Sequence, residues 1–248
     1  MHVARFCLAL ALLGSGTLAQ AETISLGALK DNTIYESTLA LSNGAGEFVH
    51  TGRTKEGVLR RGLIAFDVAA ALPANAVVTN VELTMNMSQA NDASIQVSSL
   101  HRLMADWGEG TSNASGGEGS GAPAAAGDAT FANRFHPDTA WSTAGGDFVP
   151  LASASTDVSG LGIYVWTSAG MIADVQDWLG DTSNNFGWII RTGDEIEPSA
   201  GKRFDSRTNP EFAFRPSLSI DYVVVPEPST WILAVAAAAM LPVVRRHR

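Results

Sequence analysis

Six carboxylates crowd one stretch of this chain: Asp106, Glu109, Glu118, Asp128, Asp138 and Asp147. Two chemistries suit such a cluster. A pair of carboxyl groups flanking a glycosidic bond can hydrolyse it, one protonating the leaving oxygen while the other activates water or attacks the sugar. A ring of hard oxygens can instead hold calcium, and Asp106, Glu109 and Asp128 are the set that would do so. The stretch lacks a D-x-D-x-D-G run, so solvated loop acids are the simpler reading and the preferred one. Trp107 and Trp141 border the same stretch. Their flat amphipathic rings suit the faces of sugars, although packing beneath the loop is the commoner role for such residues.

Other chemistries find little support. His50, His101 and His136 are the histidines between the two ends, and none sits in an H-x-H or H-E-x-x-H spacing, which argues against zinc. No G-x-S-x-G elbow is present. Arg60, Arg61, Arg203 and Arg207 flank apolar runs. With Asp67 or Asp205 as partners they would brace the ends of a folded body before they would bind a ligand.

The elements that must position these residues are mostly strands. Val81, Leu83, Met85 and Met87 alternate with Asn80, Glu82, Thr84, Asn86 and Ser88, the period of a half-buried antiparallel strand. Ile64, Phe66 and Val68 alternate likewise. Ile95 and Val97 mark a further strand, and Leu218, Ile220, Tyr222 and Val224 the last. Residues 186 to 191 form a continuous apolar run, as expected of a strand covered on both faces. Pro73-Ala74-Asn75-Ala76 is a turn. One helix stands out. Ser168 caps it, Met171, Ile172, Val175, Trp178 and Leu179 share one face, and Gly180-Asp181 ends it. Residues 108 to 147 are a long Gly- and Ala-rich loop with aromatic islands at Phe131, Phe135 and Trp141, which predicts partial order. A single domain with this insertion is preferred to a boundary here, because each half would be small.

Composition agrees. The chain is 46% apolar and 17% charged, with 24 glycines and 10 prolines. Many turns between short strands give that balance. Its net charge is -9. Setting aside the four arginines and Glu227 of the end segments leaves 12 basic against 24 acidic residues, a body near -12. Such a body repels nucleic acid. The one cysteine, Cys7, lies near the N-terminus, which leaves the body without a thiol nucleophile or a disulfide.

The ends read as targeting segments. Arg5, the apolar run from Phe6 to Leu13 and the Ala19-Gln20-Ala21 site make residues 1 to 21 a secretory signal peptide, with cleavage after Ala21. At the other end, Val225-Pro226-Glu227-Pro228 is a stiff break, 231 to 244 is apolar, and 245 to 248 is basic. Fourteen residues of helix span about 21 Å, short of the roughly 30 Å hydrocarbon core. The arginines would stay cytoplasmic and place the body outside the inner membrane.

Pro226-Glu227-Pro228, the short apolar helix and the basic end together resemble the PEP-CTERM sorting signal. That resemblance implies a Gram-negative envelope protein, an exosortase that cuts near the motif, and association with extracellular polysaccharide. The body is similar to DNRLRE-type domains, through Asp31-Asn32-Thr33-Ile34-Tyr35, residues 60 to 67, Asp174-Val175-Gln176-Asp177-Trp178 with Asn185-Phe186-Gly187-Trp188, and Asp205-Ser206-Arg207 before Arg215-Pro216-Ser217-Leu218. Asp128-Ala129-Thr130-Phe131 and residues 141 to 148 resemble a subset of these proteins. This second resemblance implies a jelly-roll-like, non-catalytic module that in some members binds polysaccharide.

The expectation is therefore an all-β protein: an antiparallel jelly-roll-like β-sandwich over 22 to 224 with one short connecting helix, the 108–147 loop, and terminal hydrophobic helices. It is expected to be exported and non-enzymatic, structural or glycan-binding, without nucleic acid and with calcium as the one cofactor to consider. A polysaccharide lyase or hydrolase using loop carboxylates, and a calcium-dependent adhesin, are the rival readings.

Overall fold

The computed structural model describes residues 21 to 224 apart from positions 39, 197 and 199. Ala19, the Pro226-Glu227-Pro228 motif and the apolar stretch 231 to 244 lie outside the described residues. Among the described residues no helix is long and apolar enough to cross a membrane.

The protein is mostly β. The first half carries β1 (Ala21–Gly27), β2 (Lys30–Tyr35), β3 (Leu41–Ser42), β4 (Phe48–Arg53) and β5 (Leu59–Ala65), then α1 (Val68–Ala71), β6 (Ala76–Ala90) and β7 (Gln96–Arg102). The long loop contains β8 (Ala122–Pro123), β9 (Asn133–Phe135) and β10 (Thr139–Ala140). The last part carries β11 (Ala154–Val158), β12 (Gly162–Thr167), α2 (Ala169–Gly180), β13 (Trp188–Thr192), β14 (Lys202–Asp205) and β15 (Ser217–Val224). Eleven strands form one large, curled antiparallel sheet in the order β1-β15-β6-β14-β4-β5-β13-β7-β11, with β12 added to β6 and β2 to β5. Ala21 opens β1 opposite Val223.

β4 turns the corner of this sheet. Its first four residues pair with β14 and its last two with β5. The switch falls at Gly52, where φ is 81° and a Cβ would come 2.4 Å from the Ala200 carbonyl oxygen. Only glycine takes that conformation with a backbone so close.

The alternation read along β6 is real, with Val81, Leu83, Met85 and Met87 inside. It changes phase upstream, where Ala76 and Val78 point inward. A register shift against β15, between Asp221 and Tyr222, supplies the extra residue. Such a bulge flips the faces of the strand without breaking it.

Two strand readings change. The apolar period of Ile64, Phe66 and Val68 is shared between two elements, because β5 ends at Ala65 and Val68 starts α1. Asp67 caps that turn, its side chain accepting the Ala70 N–H at 3.1 Å. Ile95 lies just outside β7, and with Val97 it faces solvent, at 70% and 53% exposure. The inward face of β7 carries Ser98 and Leu100. A serine can stand there because its carbonyl accepts the Trp166 indole N–H at 2.8 Å and its hydroxyl bonds Thr192. A one-residue difference in register decides which face is buried.

The helix forms as its sequence predicts. Ser168 accepts the Met171 N–H at 3.1 Å, and Met171, Val175, Trp178 and Leu179 are buried. Gln176 ties α2 to β6 by accepting the Val78 N–H at 2.9 Å. Trp178 meets Trp188 of β13 at 4.6 Å between ring centroids.

β13 is buried on both faces, as its unbroken apolar run predicts. Trp188 and Ile190 enter the main core inside the curl. Ile189 points the other way, into a second cluster with Ile34, Leu63, Ala65, Leu103, Trp107, Ala129 and Trp141. The long loop is thus a packed cover on the outer face of β2, β5 and β13. It is more ordered than the sequence suggests, because its backbone is pinned. Leu103 donates to Gly187 O at 3.0 Å, β3 pairs with β8, and Leu103 bridges to Phe148.

If the cover is a true second core, Ile189→Ala and Ile190→Ala should each cost about 2–5 kcal/mol of stability. Urea unfolding checks this through a lowered midpoint at unchanged slope. A loss below about 1 kcal/mol for Ile189→Ala would mean that the loop merely rests on the sheet.

Candidate functional site

The loop carboxylates are engaged in holding that cover. Asp106 accepts from Lys30 Nζ at 2.7 Å and from the Trp107 N–H at 2.8 Å. Glu109 takes a two-pronged ion pair from Arg207 and accepts the Asp31 N–H at 2.9 Å. Asp128 is fully buried and gathers the N–H groups of Thr111 and Ala125, at 2.8 and 2.7 Å, with the Ser112 hydroxyl. Asp147 accepts the N–H groups of Ser142 and Thr143, both at 2.8 Å. A glycine-rich segment cannot satisfy its own backbone through regular ladders, and these carboxylates do it instead. Asp106, Glu109 and Asp128 therefore sit in separate clamps. Among the described residues no cluster of three acidic, histidine or cysteine side chains could hold a metal ion.

The two tryptophans face inward. Trp107 is 1% exposed and Trp141 5%. Their indole N–H groups donate to the carbonyls of Phe186 and Thr130, each at 2.9 Å. The Lys30 ammonium lies 4.3 Å from the Trp107 ring centre. Neither ring offers an open platform to a sugar, because the second core needs both.

The arginines divide into two groups. Arg61 of β5 donates to Glu195 and to the Gly145 carbonyl, strapping the loop to the sheet. Arg207 straps it through Glu109. Their partners are not those the sequence pointed to: Asp67 caps α1, and Asp205 accepts from Asn86. Arg60 and Arg203 have no ion-pair partner among the described residues. Both line one cleft of about 300 Å³.

Strand register assembles this cleft. Arg203 on β14 stands opposite His50 on β4 and opposite Gln89 on β6. Directly opposed residues of an antiparallel pair share a face. Arg60 follows on β5, and the loop segment from Ser115 to Ser120 forms the wall, with Asn91 and Gly201 at the rim. Arg203 stacks on Phe48 at 3.8 Å and bonds the Ser88 hydroxyl at 3.2 Å. Arg60 lies 6.0 Å from the Tyr35 ring centre, and its Nε has no hydrogen-bond partner. Glu118 also lines the cleft. Its carboxylate is held by Asn43 and by the N–H groups of Glu47 and Phe48.

His50 is 4% exposed, and its Nε2 has no hydrogen-bond partner. Burial first, then Arg60 and Arg203, push its pKa down to about 3, against a weaker lift from a backbone hydrogen bond with Gly117. The ring is neutral at ordinary pH. Burial also lowers the pKa of both arginines, yet a guanidinium keeps its charge across that range. The cleft sets Arg60, Lys202 and Arg203 against the single carboxylate of Glu118, on an acidic body, and is rich in donors. His101 sits elsewhere, bonded to the Val149 carbonyl and Ser99.

This constellation was not legible in the sequence. Its residues come from four strands and one loop. The loop reads as low complexity, and each arginine alone reads as a brace. The one hint was negative, two arginines whose nearby acids prove to be used elsewhere.

One group behind the cleft titrates near neutrality. Asp31 is buried, and desolvation chiefly, with Glu109 and Glu118 adding, raises its pKa to about 7 against the N–H and charge of Arg207. Between about pH 4 and 7 the native state thus binds a proton that the unfolded chain releases, so this residue's contribution to stability falls as pH rises. Asp31→Asn, which keeps the acceptor for the Arg207 N–H at 2.7 Å, should remove that trend. Urea midpoints of variant and wild type at about pH 5 and about pH 8 test it: the variant should gain relative to wild type at the higher pH. Parallel profiles would show that Asp31 does not titrate in this range. No protein-family model matches the chain, and a search of curated proteins finds no match.

Proposed function

We propose that this is an exported, non-catalytic protein of the cell envelope or extracellular matrix of a Gram-negative bacterium, whose body is a jelly-roll-like β-sandwich that binds polysaccharide. The single observation that carries the binding reading is the cleft over β4, β5, β6 and β14. Its unpaired donors and the unpartnered His50 acceptor suit a hydroxyl-rich ligand. The non-catalytic reading is supported by the use of Asp106, Glu109 and Asp128 as backbone clamps. It is supported too by the low basicity of His50, since a general base works best with a pKa near the operating pH. Export rests on residues 1 to 21 and on the resemblance of the tail to the PEP-CTERM signal, with transient inner-membrane anchoring and cutting by an exosortase-type enzyme. The DNRLRE-type resemblance of the body supports a jelly-roll-like, non-catalytic module of a kind that in some members binds polysaccharide.

Purified protein should retard in native gels cast with its polysaccharide and leave the polymer's chain length unchanged. Shortened polymer, abolished by Asp106→Ala or Glu109→Ala, would establish an enzyme. Calcium should not move the melting temperature, and a rise with calcium that chelator reverses would assign the loop acids to a metal. In the native host, replacing Pro226, Glu227 and Pro228 by alanine should leave the tail attached, read as an increased intact mass. An unchanged mass would remove the sorting role of the motif.

A further inference from the structure

Outside the cleft, the half-buried Arg134 and Arg215 donate to the carbonyls of Asp106 and Asn209, and the others are neutralised. Arg53, Arg61, Arg102, Arg191 and Arg207 each reach a carboxylate within ion-pair distance. Arg60 and Arg203 also lack an ion pair, but unlike Arg134 and Arg215 they lie together. They share one cleft, and no carboxylate lies within ion-pair distance of either among the described residues. In a body with twice as many acids as bases this arrangement runs against composition. Partly burying a charge without a counter-ion costs stability, and a fold that keeps two such charges side by side has a use for them.

The cleft wall fits the same purpose. Gly117 and Gly119 stand against the two forks. A Cβ on Gly119 would come 3.3 Å from Arg60 Nη1, and one on Gly117 3.7 Å from Arg203 Nη1. A side chain at Gly119 would press on the Arg60 fork, whereas a Cβ at Gly117 would only touch Arg203. Between the glycines, Glu118 adopts φ 62° and its carboxylate is bound by Asn43 and by two backbone N–H groups of β4 and the residue before it. The one acid of the wall is thus satisfied by other partners and pairs with neither fork. Phe48 covers the Arg203 guanidinium, whose Nε and Nη2 donate to Ser88, so its Nη1 and the two Nη groups of Arg60 are the donors for a ligand. His50 adds a buried acceptor, and Gln89 and Asn91 add amides.

We infer that this cleft selects an acidic sugar unit, with Arg60 and Arg203 taking its oxyanion and His50 accepting one of its hydroxyls. The inference rests on the polysaccharide-binding reading and names the class of polymer. A carboxylate matches the fork geometry through two parallel N–H···O bonds, and a sulfate ester presents the same oxygens. A neutral glycan would leave both charges unpaired and desolvated.

The test uses the full purified protein with four probes: polygalacturonate, the same polymer after carboxyl reduction, dextran sulfate, and free glucuronate. Arg60→Gln and Arg203→Gln are compared with Arg134→Gln, an arginine outside the cleft. Polygalacturonate or dextran sulfate should bind, and which one binds tells carboxylate from sulfate. Each cleft variant should weaken that binding by about tenfold or more, while the control leaves it unchanged. The carboxyl-reduced polymer should not bind. Free glucuronate should compete with the polymer on the wild-type protein, a readout that does not depend on how the variants fold. Equal binding of the reduced polymer, or cleft variants that bind like wild type, would overturn the oxyanion assignment and leave polysaccharide binding standing. If no polymer binds but glucuronate raises the melting temperature of the wild type and not of Arg60→Gln, the oxyanion site stands and the polymer reading falls. If glucuronate neither competes nor stabilises and no acidic polymer binds, both fall.

Discussion

A sheet strand buried on both faces must be covered twice, and β13 imposes that demand here. Trp188 and Ile190 enter the interior of the curl, while Ile189 and its neighbours Leu63 and Ala65 on β5 look outward. Leaving that outer face wet would forgo roughly 1.5–3 kcal/mol for each large side chain. The segment between β7 and β11 supplies the cover with Leu103, Trp107, Ala129 and Trp141. Everything else about that segment follows from its having to lie flat on a sheet while containing few residues that form strands.

A cover made of glycine, alanine and serine has little side-chain bulk of its own to hold its backbone in place. Carboxylates take over. Glu109, Glu118, Asp128 and Asp147 each collect backbone N–H groups of the loop or of the strand ends beneath it. Arg61 and Arg207 then fasten the loop to the sheet through Gly145, Glu195 and Glu109. This explains why residues that look like an acidic active site do not form one. Asp106, Glu109, Glu118, Asp128 and Asp147 each accept backbone N–H groups, and each is separated from the others by the span it pins.

The same economy creates the cationic cleft. With the loop's clamping acids held by other partners, Arg60 and Arg203 form no ion pair among the described residues, and Glu56, Asp205 and Glu118 act on them only from farther off. The sheet corner at Gly52 sets β4 between β14 and β5, and so aligns His50 with Arg203 on one face while Arg60 rises beside them. The cleft is lined by three cations and one carboxylate, on a body that is acidic as a whole. Net charge governs long-range behaviour such as solubility and repulsion of nucleic acid, whereas a ligand at contact meets the local arrangement.

Local pattern was enough to identify several parts. The period of two along β6, the capped amphipathic helix from Ser168, and the unbroken run ending β13 each report a preference that neighbouring residues express by themselves. Where two faces had comparable claims, the sequence misled: Ile95 and Val97 look like an inward face, but Ser98 and Leu100 took it, since Ser98 finds partners in Trp166 and Thr192 that lie far along the chain. β12 escaped notice because Ile163 and Val165 are apolar and exposed, which erases its alternation. What the sequence determined alone was its β-rich character, its helix, the acidity of its body and the two segments that resemble sorting signals, since composition and short-range periodicity carry these. Which carboxylates would be spent as clamps, which tryptophans would be buried, and which two arginines would be left facing a cleft were decided only by the tertiary structure, because each depends on the register of strands distant in sequence and on which charges that register brings within a few ångströms of one another.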